Sequence, residues 1–257
     1  MSEIDNLKDK LFYFGNFDTW KEAVAACAEY GAGYESDLIF EKVKNAIQSV
    51  RNGEGAYEQD GVVFKKLLIN YELLSSLLFV CAKDGYLNLI DFGGSLGSTF
   101  FRYRQVFAKL PVEWTVVEQK HFVDYGRLNV PEVKFKYELK ECDEGYNAVL
   151  LSSVLSYVEN PYDILTEIAQ KKIKYIIIDE QAFSNEDADM IHLQNVPKSI
   201  YEAVYPVRLF SITKLKEFFL KSGYKVWEWD YKFGNIPVYK NGCFTDTIEK
   251  GMFVCLA

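Results

Sequence analysis

The chain has 257 residues, of which 49% are hydrophobic and 16% aromatic, and carries a formal net charge of −8 at pH 7. That hydrophobic content supplies a substantial core and excludes a disordered chain, while the acidic balance argues against a nucleic-acid partner, which needs a basic face to displace counterions. Five cysteines, odd in number and without a CxxC pair, support no zinc knuckle or dithiol motif, so no metal is expected and reduced, buried thiols are the better account.

The first residues, Met1 to Asp5, are acidic and lack an apolar signal core. The longest apolar stretch, Leu67 to Ala82, is broken by Asn70 and Glu72 and is too short for a bilayer span. A cytoplasmic location is expected. Residues 1–85 read as mainly helical. Ile39, Val43, Ala46, Ile47 and Val50 follow helical spacing behind Ser36 as N-cap, and Arg51 to Gly55 ends that helix. A second helix carries Leu67, Leu68, Tyr71, Leu74, Leu78 and Ala82, with the polar and aromatic Tyr57 to Gly61 between the two. The break at Lys83-Asp84-Gly85 divides a helical N-terminal cap, 1–85, from an α/β catalytic domain, 86–257.

From residue 86 the rhythm becomes strand, loop, helix. Leu87–Ile90, Trp114–Val117, Val133–Tyr137, Ala148–Leu151 and Tyr175–Ile178 are predicted strands; Ser98–Ala108, Pro161–Lys171 and Thr213–Ser222 are predicted helices. Runs apolar on both faces mark parallel strands covered by helices. Lys225–Trp229 and Met252–Leu256 are expected to close the sheet as an antiparallel hairpin. Between Asp179 and Arg208 little apolar periodicity is visible, so the segment, carrying His192, Gln194, Lys198, Tyr201 and Tyr205, reads as a long polar loop and a lid candidate.

The most informative stretch is Asp91-Phe92-Gly93-Gly94-Ser95-Leu96-Gly97, a strand that stops at an acid and opens into a glycine-rich turn. The next strand also ends in an acid, Glu118, a position suited to two ribose hydroxyls. The turn departs from the G-x-G-x-x-G of dinucleotide-binding folds. Asp91, Gly93, Ser95 and Gly97 instead match acid-x-Gly-x-Gly-x-Gly, typical of S-adenosylmethionine enzymes, with serine at the middle glycine. An acid beside the turn suits the amino-acid portion of that cofactor and repels a pyrophosphate. The candidate cofactor residues are Asp91, Gly93, Gly94, Ser95, Gly97, Glu118, Gln119, Glu138 and Ser153.

The chain also resembles the methyltransferases associated with bacterial lipopolysaccharide and capsule biosynthesis. The likeness covers nearly the whole length: Trp20-Lys21-Glu22-Ala23, Gly33-Tyr34, Tyr57-Glu58-Gln59-Asp60, Asp91 to Ser98, Trp114 to Gln119, and Tyr205 to Ser211. It implies a class I methyltransferase-like Rossmann sheet, S-adenosyl-L-methionine as cofactor, and a glycan-precursor acceptor. O-methylation of a sugar hydroxyl or of a phosphate or phosphoramidate oxygen is then expected.

The acceptor should lie beyond the fourth and fifth strand ends. His192 is a candidate base for a hydroxyl; Arg208, Lys198 or His192 would orient an oxyanion; Tyr57 and Asp60 could reach over from the cap. His121 is expected near the cofactor rim or in solvent. Each has a plain alternative: a surface histidine, a packing tyrosine, a solvated Glu138, a turn-forming Ser153. Two other functions stay open, an NAD-linked oxidoreductase or epimerase and a non-catalytic nucleotide-binding protein. The absent G-x-G-x-x-G, and the lack of Tyr-x-x-x-Lys after the fourth strand, count against the first. The aromatic content suits a subunit interface in a homo-oligomer as well as a core.

Overall fold

A computed structural model describes residues 7–30, 37–200, 202–232 and 234–257. The Ser36 cap, Gly33-Tyr34, Tyr201 and Met1 to Asp5 lie outside the described residues.

The predicted strand–helix rhythm builds a seven-stranded sheet. Its strands are β4 (Leu87–Phe92), β5 (Val112–Val117), β6 (Lys134–Lys136), β7 (Ala148–Ser152), β8 (Tyr175–Phe183), β11 (Tyr224–Asp230) and β14 (Ile248–Leu256). Their order is β11-β14-β8-β7-β4-β5-β6, and β14 runs antiparallel to both of its neighbours. The expected closing pair is therefore present, Tyr224 opposite Leu256 through Asp230 opposite Lys250. Alternation sends Leu89, Val116, Leu150 and Ile177 to one face and Ile90, Val117, Val149 and Ile178 to the other. Helices α2 (Asp37–Arg51), α3 (Tyr71–Asp84), α4 (Ser98–Phe107) and α5 (Lys120–Asn129) contribute to the first core; α6 (Pro161–Gln170) and α7 (Ile212–Lys221) contribute to the second. Pro161 opens α6, where its missing N–H costs nothing. Gly85 ends α3 with φ 81°, a conformation a side chain would strain.

Two local expectations fail, and a third, the mainly helical N-terminal segment, holds but is incomplete. The second predicted helix starts at Tyr71, not Leu67, because the Asn70 side chain caps it by accepting from the Leu73 N–H at 3.0 Å; Leu67 and Leu68 precede it and are exposed. The N-terminal segment is not only helical. Besides α1 (Trp20–Cys27) it contains β1 (Phe12–Phe17) and the hairpin of β2 (Tyr57–Gln59) and β3 (Val62–Phe64). The expected polar loop after Asp179 instead forms strands. β8 runs on to Phe183 and is followed by β9 (Met190–Val196) and β10 (Ala203–Leu209).

These strands make a second sheet, ordered β10-β9-β1-β12-β13, with β12 (Val238–Lys240) and β13 (Cys243–Thr245). β1 thus joins the N-terminal segment to the C-terminal one in a single sheet. Phe12, Phe14, Ile191 and Leu193 pack toward α1, while Tyr13, Val207 and Leu209 face Ala182 of the large sheet. Pro206 sits in β10, an edge strand, where a missing donor is tolerated. No helix among the described residues is long and apolar enough to cross a membrane.

Candidate active site

The glycine turn follows β4 directly. Gly93, Ser95 and Gly97 all have positive φ, 73°, 55° and 89°. The Gly93 N–H donates to the Val117 carbonyl at 2.8 Å, which ties the turn to β5. A Cβ on Gly94 would sit 2.4 Å from the Asp91 carboxyl group, and one on Gly93 would sit 2.4 Å from Val154. Both positions therefore exclude side chains by contact. Asp91 is 1% exposed, and its carboxylate accepts the Trp114 indole N–H at 2.9 Å. Burial pushes its pKa up to about 7.

Glu118 ends β5. Its carboxylate accepts the Gln119 backbone N–H and is also hydrogen-bonded to the Ser95 backbone, while burial raises its pKa. Ser153, at φ 52°, donates its backbone N–H to Asp179 O at 2.9 Å. A cavity of about 720 Å³ lies over the ends of β4, β5, β7 and β8, walled by residues of the second sheet. It spans the point where the chain order reverses between β4 and β7, the usual ligand position of open α/β sheets. Asp91, Gly93, Gly94, Ser95, Glu118, Gln119 and Ser153 all line it. Gly97 does not; it is the N-cap of α4 and packs beside Val133.

Other sequence candidates fall elsewhere. Glu138 is exposed, outside the cavity, and pairs with Lys140; its neighbour Tyr137 lines the cavity instead. His192 is buried in β9 with Nδ1 2.5 Å from the Gly15 carbonyl, and burial lowers its pKa. It lies on the face of β9 that carries Gln194, two residues further along, and does not line the cavity. Arg208 donates to the Glu159 carbonyl at 2.9 Å and covers Trp20. Lys198 is exposed. Tyr57 is buried, stacked on Phe64 at 4.7 Å, with the Arg102 guanidinium 4.0 Å over its ring. His121 is exposed and edge-on to Phe40. None of His192, Tyr57 and Arg208 lines the cavity. Tyr57 acts indirectly, as the platform for Arg102.

What the structure brings together is acidic. Glu58, Asp60, Asp91, Glu118, Asp179, Glu180 and Glu249 line the cavity, and Arg102 is the one cationic side chain among its described lining residues. The Asn70 amide donates to both carboxylate oxygens of Asp179, at 3.0 and 3.1 Å, so the cap of α3 also orients the end of β8. Glu58 accepts from Ser98 and from the Gly61 N–H at 3.2 Å. Desolvation raises Glu58 to about 7, Asp179 to about 6 and Glu180 to about 8, with repulsion from Asp179, Asp60 and Glu249 adding to the last. Strict alternation would part Asp179 and Glu180. A register shift between β8 and β14 opposite Gly251 brings both to the cavity, with Glu180 at φ 54°. Two consecutive acids ending an apolar run were the visible signal for this pair; Gln194 was visible only as a polar residue of the lid candidate, and Arg102 and Glu249 gave no signal.

No family model matches the chain, and no curated protein matches it. Among solved structures it is similar to the N-terminal domain of EvdMO1, crystallised in the presence of SAH and D-fucose. The identity is 12% and the TM-score 0.52, over 88% of this chain and 98% of that one. It is also similar to LepI in complex with SAH and a substrate analogue, at 12% identity and TM-score 0.50. That match covers 85% of this chain and 55% of the other, so this chain spans about half the length of LepI. The likeness carries the fold: an α/β architecture of the class I methyltransferase type, with a mostly parallel sheet and its closing antiparallel strand.

Proposed function

We propose that the chain is an S-adenosyl-L-methionine-dependent methyltransferase acting on a small polar acceptor. The observation that carries this is Asp91, buried against Gly94 and held by Trp114, with Glu118 one strand away at the same cavity. The donor set fits the cofactor. Carboxylates favour a sulfonium and an ammonium, Glu118 is placed for ribose hydroxyls, and the backbone at Gly93 and Gly94 leaves room for close approach. Bound there, the cofactor would supply a methyl group open to in-line displacement from sulfur. Gln119 and Ser153 would border it; Glu138 would not. The dinucleotide alternative requires a pyrophosphate beside seven carboxylates, which like charges oppose.

A hydroxyl acceptor must lose its proton as its oxygen bonds to carbon and the C–S electron pair stays on sulfur. The carboxylates lining the cavity are the groups available to take that proton, in place of His192. A surface-polysaccharide precursor remains the acceptor that the family resemblance suggests. Its phosphate or phosphoramidate form loses support, since Arg208, Lys198 and His192 lie outside the cavity.

Calorimetric titration with S-adenosylhomocysteine tests this reading, alongside NAD and a Glu118→Ala variant. Saturable binding weakened at least tenfold by the variant, with no NAD heat, is expected. Tight NAD binding without any response to S-adenosylhomocysteine would overturn it. Turnover on a defined acceptor separates an enzyme from a non-catalytic binder.

A further inference from the structure

The cavity is larger in its acidic demands than the cofactor requires. Asp91 and Glu118 lie at the glycine turn, and Glu58 and Asp179 are hydrogen-bonded to Ser98, Gly61 and Asn70. That leaves Asp60, Glu180 and Glu249, supplied by the β2–β3 turn, the end of β8 and the start of β14. Each is met by few donors: Glu249 accepts the Ile236 N–H at 3.1 Å, and Glu180 is hydrogen-bonded to Tyr231. Glu180 is repelled by both Asp60 and Glu249. Arg102, the cation of the lining, stacks over the Tyr57 ring, and its charge acts on Glu58 and Asp179. Among the described residues no group of three or more carboxylate, histidine or cysteine side chains is disposed to hold a metal ion.

A second observation comes from the opposite wall. Gln194 is 4% exposed and lines the cavity. Its Oε1 accepts the Tyr157 hydroxyl at 2.8 Å, and Tyr157 is in turn hydrogen-bonded to Tyr13. That chain fixes the amide, whose Nε2 has no hydrogen-bond partner among the described residues. That donor is not sealed in protein but opens to the cavity, where a ligand oxygen can accept from it.

Resting on the methyltransferase reading, we infer that the acceptor is a small polyhydroxylated amine bound as its ammonium ion. The positive charge sits among Asp60, Glu180 and Glu249, and an acceptor oxygen takes the Gln194 amide. Burial, with repulsion from Asp179, Asp60 and Glu249 added to it, raises Glu180 to about 8, and burial raises Glu249 to about 7; a cation there favours the ionised form of both. An anionic acceptor would meet the same carboxylates unfavourably, and a neutral polyol would gain hydrogen bonds to them but no neutralisation of their charge.

The test is a calorimetric titration of the full chain, saturated with S-adenosylhomocysteine, at pH 7.5. The probes are D-glucosamine and D-galactosamine against their uncharged parents D-glucose and D-galactose, with glucose 6-phosphate as the anion. At least one amino sugar is expected to bind tenfold or more tightly than its parent, and the phosphate not at all. Glu249→Gln and Asp60→Asn should each erase most of that preference while leaving S-adenosylhomocysteine affinity within twofold; a thermal melt confirms that each variant folds, and Asp60, on an exposed turn, guards against loss of fold in the other. Equal binding of parent and amine, binding of the phosphate, no binding by either amine, or a preference that survives both variants overturns the proposal. If S-adenosylhomocysteine itself fails to bind, the methyltransferase reading falls, and the same titration without it decides the amine site alone.

Discussion

The two sheets meet at one cavity but were written into the chain differently. The large sheet delivers Asp91, Gly93, Gly94 and Ser95 from one contiguous turn, with Glu118 at the next strand end. The small sheet delivers Tyr13, Gln194 and Tyr205 from three strands far apart in sequence, β1, β9 and β10. One wall is specified by local backbone geometry, the other by register between distant strands. A single side chain added in the turn must then do more damage than one changed in the small sheet away from the cavity.

Gly94→Ala is the sharpest way to break that contrast. Its Cβ would fall 2.4 Å from Asp91, whose carboxylate is held by Trp114 and cannot retreat freely. Overpacking of this kind costs about 1–3 kcal/mol, and S-adenosylhomocysteine affinity should fall on the order of 100-fold or more if the turn is displaced by about 1 Å. Gly53→Ala is the matched control: φ is +82° but nothing lies within 4 Å, so only backbone strain of about 1 kcal/mol is expected, without loss of affinity. Equal affinities for the two variants, by calorimetry, would show that the turn does not carry the binding.

The same contrast explains what was legible. The strands of the large sheet show as apolar runs because both faces are covered, and the glycine turn shows because positive φ and close contact restrict residue choice. The small sheet was missed although Ile191-His192-Leu193-Gln194 alternates apolar and polar as a half-buried strand does, because Asn195 cuts the alternation short and one partner, β1, lies far away in the sequence. Pro206 further hid β10, because an edge position cannot be seen from one strand. His192 was singled out as one of two histidines, but rarity says nothing of which end of a strand faces the cavity. Asn70 looked like an interruption of an apolar stretch; it is the cap of α3 and the donor to Asp179.

A second prediction concerns the acidic wall as a whole. Glu58, Asp91, Asp179, Glu180 and Glu249 hold pKa values of about 6 to 8 in the folded chain, against about 4 when unfolded. Between those values the folded state binds more protons, so stability falls as pH rises. The ligand-free chain should be more stable at pH 5 than at pH 8 by at least about 2 kcal/mol, measured by urea unfolding. Stability that rises across this window would mean that the carboxylates are already compensated.

His192→Asn probes the small sheet away from the cavity. Losing the contact to Gly15 should cost about 1–2 kcal/mol of stability, leaving cofactor affinity and any turnover unchanged. A loss of turnover without loss of stability would return His192 to the role of base and require β9 to present it to the cavity.

The smallest effect is expected at Glu138→Ala, and it sharpens the comparison from the other side. Glu138 follows a strand of the large sheet, as Glu118 does, yet it is exposed and paired with Lys140. Glu118 is half-buried, lines the cavity and lies beside Ser95. If a strand-end acid were sufficient, both variants would weaken S-adenosylhomocysteine. If placement at the switch point decides, Glu118→Ala weakens it at least tenfold and Glu138→Ala leaves it within twofold, with an unchanged melting temperature. Calorimetry on the pair measures how much of the site comes from position in the sheet and how much from residue type.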